Sequence, residues 1–320
     1  MENTKDKLVK GLTSNPKYLP HWYNYDNVGS EIQYRTVTEP LAYYSTRSEM
    51  SILKHSVQDF IPQVPHDLTL VDLGSGNCFK IRLVIDELLR RQKNLTFYPV
   101  DISESFLMKS AKALSEEYDC SLVVRPVAAD YVTGIEQLKR VDGFKLITWF
   151  CGILNLPYNE QVDILRMIST VMTDKCVFVF SADVTQDKEA IIQAYHDKEG
   201  LVQAFNQHAI AKLNEEEGSR INLDMFTYNV DFISDSNPQY MSYTRAYLQS
   251  KEDICYSIPG LGIDLVMEKG EHLYFHEGDG FSCKYNMEQL QNIVKKAGLC
   301  LADSWLDEEK HVVFLQCTTV

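Results

Sequence analysis

A glycine-containing turn between residues 71 and 80, with the sequence VDLGSGNCFK, carries the most informative chemistry of this chain. An apolar strand ends near Asp72, and Gly74 and Gly76 open the next helix, so the backbone can approach a ligand where a Cβ would clash. Dinucleotide-binding turns place a third glycine where this chain has Phe79, at a helix start that holds pyrophosphate. The pattern therefore disfavours phosphate and favours an uncharged or cationic ligand such as S-adenosylmethionine (SAM). A tight turn without a ligand is the alternative.

Acidic residues follow the next two predicted strands. Asp101 ends the second strand, 25 residues beyond Gly76, where a carboxylate can accept both hydroxyls of a ribose. A surface Asp that caps a helix is the alternative. Asp130 and Tyr131 follow the third strand, where an acid and an aromatic ring suit the amine and the ring face of adenine. Three such features at successive strand ends indicate SAM binding more strongly than any one of them.

Strands alternate with helices throughout the segment that carries these residues. The predicted strands are 68–73, 96–101, 121–127, 145–150 and 175–183. The helices between and after them are 79–93, 104–118 and 159–172, and a helix at 287–299 and a strand at 311–317 close the chain. This alternation predicts an α/β fold, a Rossmann-like doubly wound sheet of parallel strands.

The pattern changes after residue 183. Residues 187–218 read as helical, and the segments 226–232, 240–248 and 273–276 read as strands, the first two with one wet face. We therefore expect three parts. These are a helical amino-terminal cap that forms part of the substrate site (1–60), a SAM-binding domain (61–184 and 286–320), and an inserted α+β substrate-binding domain (185–285).

Composition and charge narrow the partners. Lys and Arg number 31 against 45 Asp and Glu, which gives a net charge of −14 and disfavours nucleic acid and anionic membranes. No apolar run reaches the roughly 18 residues that span a bilayer, and the polar amino terminus lacks a signal core, so we expect a cytoplasmic protein. The eight cysteines form no CxxC pair, so no metal site is predicted, and reduced, buried thiols are favoured over disulfides.

Six segments, in their order along the chain, resemble the signatures of one enzyme family. They are NYDNVGSEI (24–32), AYYSTRSEM (42–50), VDLGSGNCFK (71–80), YPVDIS (98–103), AYHDKEGLVQAFNQHAI (194–210) and FSCKY (281–285). The chain resembles, nearly end to end, the SAM-dependent histidine Nα-methyltransferases of ergothioneine biosynthesis. That family is related to fungal dimethylallyltryptophan N-methyltransferases.

The resemblance implies SAM as the cofactor and a set of residues that hold it. In such enzymes the two glycines approach the methionyl part of SAM, an acid takes the ribose, and an acid–aromatic pair takes the adenine. Lys80 would pair with the SAM carboxylate or fix the loop, and an ordinary helix lysine is the alternative. The implied cofactor-binding residues are Gly74, Gly76, Lys80, Asp101, Asp130 and Tyr131.

The resemblance also implies residues for a small-molecule amino-acid substrate. Asn155 and Tyr195, 40 residues apart, match the catalytic pair that orients the ammonium–carboxylate end. Met241 and Ser282 match the wall of the side-chain pocket. The implied substrate-binding residues are Tyr25, Tyr43, Asn155, Tyr195, Met241, Gly280 and Ser282. The chain has 18 tyrosines, so core packing with a satisfied hydroxyl is the alternative for each.

Two departures from the family pattern bear on the substrate. The stretch FCGILN has Phe150 and Leu154 where glycines are expected, which narrows or reshapes the floor of the site. Histidine-specific members carry a Glu where this chain has Gly280, so Glu277 or Asp279 would have to accept the imidazole N–H. If neither reaches the pocket, a larger apolar ring such as an indole suits it better.

We therefore expect SAM-dependent Nα-methylation of a free aromatic or heteroaromatic L-amino acid, with histidine slightly preferred, by a monomeric enzyme. The first alternative is N-methylation of tryptophan or a tryptophan derivative. The second is a catalytically silent, SAM-binding protein. A small-molecule O-methyltransferase and an NAD-dependent dehydrogenase are weaker rivals, the latter because of Phe79.

Overall fold

The computed structural model describes residues 3–39, 43–62, 67–234, 241–277 and 282–319. The chain divides into two compact units. The first unit contains Met1–Tyr43, Asp187–Ser234 and Ser242–Ser282, and the second contains Tyr44–Gln186, Asp235–Met241 and Cys283–Val320. Residues 44–60, which the sequence pattern groups with the amino-terminal cap, fall in the second unit. No helix in the described ranges has the length and apolar character that a bilayer-spanning segment requires.

The secondary structure of the described residues follows the chain in this order. The helices are α1 (Thr4–Thr13), α2 (Asn27–Thr38), α3 (Tyr44–Phe60), α4 (Arg82–Arg91), α5 (Glu104–Tyr118), α6 (Tyr131–Leu138), α7 (Tyr158–Val171), α8 (Lys188–Tyr195), α9 (Leu201–Glu216) and α10 (Met287–Lys296). The strands are β1 (Lys17–Tyr18), β2 (Leu68–Leu73), β3 (Leu95–Asp101), β4 (Leu122–Val124), β5 (Val127–Ala128), β6 (Phe144–Trp149), β7 (Cys176–Asp183), β8 (Phe226–Ile233), β9 (Ser242–Ser250), β10 (Ile254–Ile258), β11 (Ile263–Met267), β12 (His272–Tyr274), β13 (Cys283–Lys284), β14 (Leu299–Leu306) and β15 (Val312–Thr319).

The second unit is built on one mixed sheet. Its strand order is β14-β15-β7-β6-β2-β3-β4, and β5 also pairs with β3. The strands from β7 to β4 run parallel, whereas β15 is antiparallel to both β7 and β14. The chain winds outward from β2 to β3 on one side and returns to β6 on the other. In such sheets ligands bind beyond the carboxyl ends of the strands at this reversal.

Both faces of this sheet are buried. Along β2, Leu68 and Leu70 lie in one apolar cluster with α3 and α4, whereas Val71 and Leu73 lie in another with α7 and α10. A strand sends successive side chains to opposite faces, so helices cover the sheet on both sides. The predicted Rossmann-like doubly wound α/β fold is confirmed.

The first unit has its own sheet and core. β12 pairs with β1 in parallel and with β9 antiparallel, and β8 pairs with β9 antiparallel. Leu248 of β9 and Leu273 of β12 are fully buried and share a core with residues of α1 and α9. β10 and β11 form a separate antiparallel hairpin whose Leu265 enters the same core. This mixture of helices and antiparallel strands is an α+β arrangement.

The segment 187–218, predicted to be helical, contains two helices. α8 ends at Tyr195 and α9 begins at Leu201. The Asp197 carboxylate accepts the backbone N–H groups of Leu201 at 2.7 Å and Val202 at 2.9 Å, which satisfies the first turn of α9. The break leaves Tyr195 at a helix end.

Candidate functional site

The predicted cofactor turn lies at the carboxyl end of β2, where the sheet order reverses. Gly74 and Gly76 have φ values of +70° and +53°, a conformation that favours glycine. A Cβ on Gly74 would lie 3.0 Å from the Tyr131 hydroxyl, while a Cβ on Gly76 would meet no atom within 4 Å. The backbone at Gly76 therefore faces open space that a ligand can occupy.

Asp101 ends β3 beside this turn. Its Oδ2 accepts the backbone N–H of Gly76 at 2.8 Å, and its Oδ1 accepts that of Ser103 at 2.9 Å. Burial raises the pKa of this carboxyl, against backbone hydrogen bonds that lower it. A carboxylate offers about four lone-pair positions, more than the backbone N–H groups of Gly76, Ile102 and Ser103 occupy, so acceptor capacity stays for the predicted ribose contact.

Asp130 and Tyr131 stand at the start of α6. Asp130 is the exposed N-cap of this helix, and its carboxylate accepts the backbone N–H of Thr133 at 2.7 Å. The Tyr131 ring packs edge-on against Trp149 with ring centroids 5.0 Å apart. Burial raises the pKa of Tyr131 to about 12, so its hydroxyl is neutral at physiological pH. Tyr131 lies at the cofactor turn, while the observed contact of Asp130 is a capping bond.

A buried carboxyl lies beneath the turn. Asp72 is 4% exposed, and its Oδ1 accepts the Thr148 hydroxyl at 2.6 Å across the β2–β6 pair. Burial raises the pKa of Asp72 to about 6, although the bond from Thr148 lowers it. The group therefore titrates nearer to physiological pH than an ordinary aspartate does.

Lys80 pairs with a residue of α3 that the sequence did not single out. Its Nζ lies 2.9 Å from Oε2 of Glu49, whose side chain is fully buried. Burial alone would lower the pKa of Lys80, but the Glu49 charge outweighs it and the pKa lies above its usual range. This pair agrees with the loop-fixing role, and a contact with the SAM carboxylate stays a prediction.

Asn155 ends a short 3-10 helix, Ile153–Asn155, that follows β6 at the same edge of the sheet. Phe150 stacks on Phe314 at 4.9 Å, and Leu154 is buried in a core cluster with α7. The two bulky residues that replace the family's glycines therefore pack into the core of the second unit. The amide contacts of Asn155 stay a prediction.

The first unit brings together three predicted substrate residues. The hydroxyls of Tyr195 and Ser282 share a short hydrogen bond. The Tyr43 ring lies 6.1 Å from the Tyr195 ring. Ser282 is 1% exposed and has φ +48°, which is uncommon outside glycine. These residues, which lie far apart in the sequence, form one aromatic and hydroxyl-bearing cluster.

Tyr25 belongs to a neighbouring aromatic group in the first unit. Its ring packs edge-on against His21 at 5.2 Å and against Phe205 at 5.5 Å. Burial, and then the nearby His276, lowers the pKa of His21 to about 3, so this imidazole is neutral at physiological pH. The structure therefore surrounds Tyr25 with uncharged rings.

The remaining predicted pocket residues have different outcomes. Met241 is 7% exposed and packs in the core of the second unit, so its joint role with Ser282 stays a prediction. Gly280 and Asp279 lie outside the described residues. Glu277 is described, and its side chain is 61% exposed, 3.9 Å from Lys10. An exposed carboxylate in a surface ion pair is a poor candidate for a buried imidazole acceptor.

Two groups of contacts were not predicted. Glu49 was not predicted because no local pattern indicates its distant partners. Its position three and four residues before the apolar Ile52 and Leu53 is a usable signal, since that spacing places it on the same helix face as these two residues. Asp307, Glu309 and His311 place ligand atoms within 4.8 Å of one another. However, the Asp307 carboxylate accepts backbone N–H groups of residues 309, 311 and 312, which is a turn-forming role.

The second unit fits SAM on its own geometry. The open space at Gly76 admits the backbone-contacting part of the ligand, and the Asp101 carboxylate keeps acceptor positions for a ribose. Tyr131 presents a neutral ring beside the same turn. Phe79 occupies the place where a phosphate-binding turn has glycine. SAM carries a sulfonium and no phosphate, so these features agree with it.

Comparison with known proteins identifies the family. The family model described as "Histidine-specific methyltransferase, SAM-dependent" matches residues 4–319. The histidine N-alpha-methyltransferase of Mycolicibacterium smegmatis is 27% identical over 93% of this chain and 89% of its own. The 4-dimethylallyltryptophan N-methyltransferase of Penicillium roqueforti is 23% identical over 98% of this chain and 93% of its own. A solved magnesium protoporphyrin IX methyltransferase from Synechocystis, 9% identical, gives a TM-score of 0.48 over 93% of this chain and 97% of its own.

Because the family model spans nearly the whole chain, this protein belongs to the SAM-dependent, histidine-specific methyltransferase family, as the sequence resemblance predicted, and SAM is its cofactor.

Proposed function

We propose that this enzyme methylates the α-amine of a free aromatic or heteroaromatic L-amino acid, with histidine as the preferred substrate. The single observation that carries the proposal is the match of the histidine-specific family model to residues 4–319. The Tyr43–Tyr195–Ser282 cluster supports it, because its hydroxyls suit a polar amino-acid substrate.

The cofactor supplies a methyl group on a positively charged sulfur. The chain's own residues fix where that group lies, in our proposal, through the backbone at Gly74 and Gly76, the Asp101 carboxylate and the ring of Tyr131. Asp130 stays in the proposed adenine site through its position after the third predicted strand and through the resemblance, since its described carboxylate contact caps α6. Lys80, the last residue of the turn, fixes the turn to α3 through its ion pair with Glu49.

Asn155 and Tyr195 orient the ammonium–carboxylate end of the substrate in this proposal, and Tyr25 and Tyr43 line that end. Reaction requires a neutral amine, and burial beside a positive charge lowers the pKa of an amine by desolvation and repulsion. The work of the site is therefore mainly positioning, which is a large share of catalysis in bimolecular transfer. Proton loss to water before attack agrees with the absence of a strong base among the proposed residues.

The choice between histidine and an indole depends on the pocket wall. The proposed wall contains Met241, Ser282 and Gly280, and a histidine ring needs an acceptor for its N–H because a buried unpaired N–H costs about 1–3 kcal/mol. Since Glu277 is exposed, the indole alternative gains support from the structure. The family match and the similarity to the histidine N-alpha-methyltransferase of Mycolicibacterium smegmatis support histidine.

A mass-spectrometric screen of all free L-amino acids with SAM tests the proposal. We expect histidine to gain mass in units of one methyl group. Preferential methylation of tryptophan or a derivative replaces histidine with the indole alternative. If no amino acid is methylated although SAM binds tightly, the result supports the alternative of a catalytically silent SAM-binding protein. Cytoplasmic location, a monomeric state, and the assignment of residues 185–285 to substrate binding are further predictions.

A further inference from the structure

Glu49 occupies an unusual position for an acid. Its side chain is fully buried in α3 of the second unit. Acidic side chains are almost never fully buried unless they are paired, and here each carboxylate oxygen has a different partner. Oε2 lies 2.9 Å from Nζ of Lys80, and Oε1 accepts the hydroxyl of Ser181. The carboxylate thus joins the end of the cofactor turn, at Lys80, to strand β7.

Ser181 extends the connection to the turn after β6. Its Oγ accepts the backbone N–H of Cys151 at 2.7 Å. β6 and β7 pair in parallel with Trp149 opposite Phe180, so Ser181 lies beside the first residues that follow β6. This turn runs on to Asn155 through the 3-10 helix Ile153–Asn155.

Cys151, whose backbone N–H bonds to Ser181, has an uncommon backbone conformation. Cys151 has φ +56°, which costs free energy outside glycine and persists where the surroundings impose it. Its thiol lies 3.2 Å from the Ser45 hydroxyl of the same helix α3. Burial, and then the charge of Glu49, raises the pKa of the thiol to about 12, which favours the neutral thiol over the thiolate.

We propose that Glu49 is a positioning residue that holds the cofactor-side Lys80 with one oxygen and, through Ser181, the turn leading to Asn155 with the other. An ammonium has three N–H donors, and the described bond to Glu49 uses one, so Lys80 can pair with Glu49 and still reach an anionic group of the cofactor. The amino-acid half of this inference rests on the proposed function, because it uses the role of Asn155.

Two variants separate the two halves. Ser181→Ala breaks the connection to Cys151 and keeps the Lys80–Glu49 pair, so we expect the SAM Kd to stay within about twofold while kcat/KM for the amino acid falls about tenfold. Glu49→Gln removes the charge beside Lys80, so we expect both quantities to worsen, SAM affinity by about fivefold or more. Glu116→Gln, on an exposed ion pair with Lys112, is the matched control and should change neither.

Calorimetric titration with SAM, steady-state kinetics with the amino acid that the screen identifies, and thermal melting decide the outcome. A Ser181→Ala enzyme with unchanged kcat/KM overturns the connection to the Asn155 turn. The proposal is also overturned if both variants lose SAM affinity and kcat/KM equally and in proportion to a lower melting temperature, because that result indicates general destabilisation. If Glu49→Gln does not fold, Ser181→Ala alone decides. If the wild-type enzyme methylates no amino acid, the proposed function fails, and unchanged SAM affinity in Glu49→Gln still separately overturns the Lys80 half.

Discussion

Replacing Asp101 with alanine should weaken SAM binding about tenfold to hundredfold. The carboxylate holds the N–H of Gly76 at 2.8 Å and that of Ser103 at 2.9 Å, and its remaining lone pairs are proposed to accept the ribose hydroxyls. Hydrogen bonds to charged groups contribute about 1.5–3 kcal/mol each. Because water replaces some of the lost hydrogen bonds, we expect the free energy of SAM binding to weaken by about 1.4–2.8 kcal/mol, which corresponds to a tenfold to hundredfold higher Kd.

Calorimetric titration with SAM measures this effect, with Asp163→Ala as the matched control. Asp163 is an exposed aspartate paired with Arg166, so its removal should leave SAM affinity unchanged. Since burial raises the pKa of Asp101, this carboxylate becomes protonated, and loses a hydrogen-bond acceptor, at a higher pH than an ordinary aspartate does. SAM affinity of the wild type should therefore fall as the pH is lowered, and Asp101→Asn should flatten this dependence. A folded Asp101→Ala variant with wild-type SAM affinity refutes the placement of this residue in the cofactor site.

The remaining predictions concern the substrate, stability and selectivity. Asn155→Ala and Tyr195→Phe should each lower amino-acid turnover about tenfold or more with little change in the calorimetric SAM Kd, and equal loss of SAM binding would place them in the cofactor site or the core. Burial raises the pKa of Asp72 to about 6, so its protonated form contributes to the free energy of unfolding. That contribution is complete below pH about 4 and is lost as the pH rises through about 6. Asp72→Asn should remove this fall in denaturant-measured stability, and an unchanged pH profile would contradict the burial argument. Gly280→Glu should abolish turnover of an indole substrate by burying an unpaired charge, and unchanged kcat/KM for tryptophan would remove Gly280 from the pocket.

The central strands of the second unit could largely be predicted because their apolar runs are buried on both faces of the sheet, and the helices because their apolar residues recur at helical spacing. The predicted helix 104–118 matches α5, and the predicted strand 68–73 matches β2. β14 was not predicted, because most of its side chains are exposed and no apolar run marks an edge strand that is held mainly by β15. The hairpin of β10 and β11 was also missed, although its alternating residues around a Pro-Gly turn are a usable signal.

The candidate site was predictable in its residue types but not in its connections. Asp101 and Gly76 were expected near one another from the strand ends alone, and the structure joins them directly. The partner of Lys80 could not be predicted, since Glu49 lies 31 residues earlier, on α3. Glu49 and Ser181 are 132 residues apart and meet only through the packing of α3 on β7. Likewise the Tyr195–Ser282 bond spans 87 residues, and no periodicity in the sequence encodes it.

The most direct test of the central claim is a competition assay in which equal concentrations of histidine and tryptophan share limiting SAM, with the methylated atom located by fragmentation of each product. We expect methylation of the α-nitrogen, with histidine consumed faster than tryptophan. Faster consumption of tryptophan would contradict the histidine preference, and methylation of a ring nitrogen or of neither amino acid would contradict the assignment as an Nα-methyltransferase.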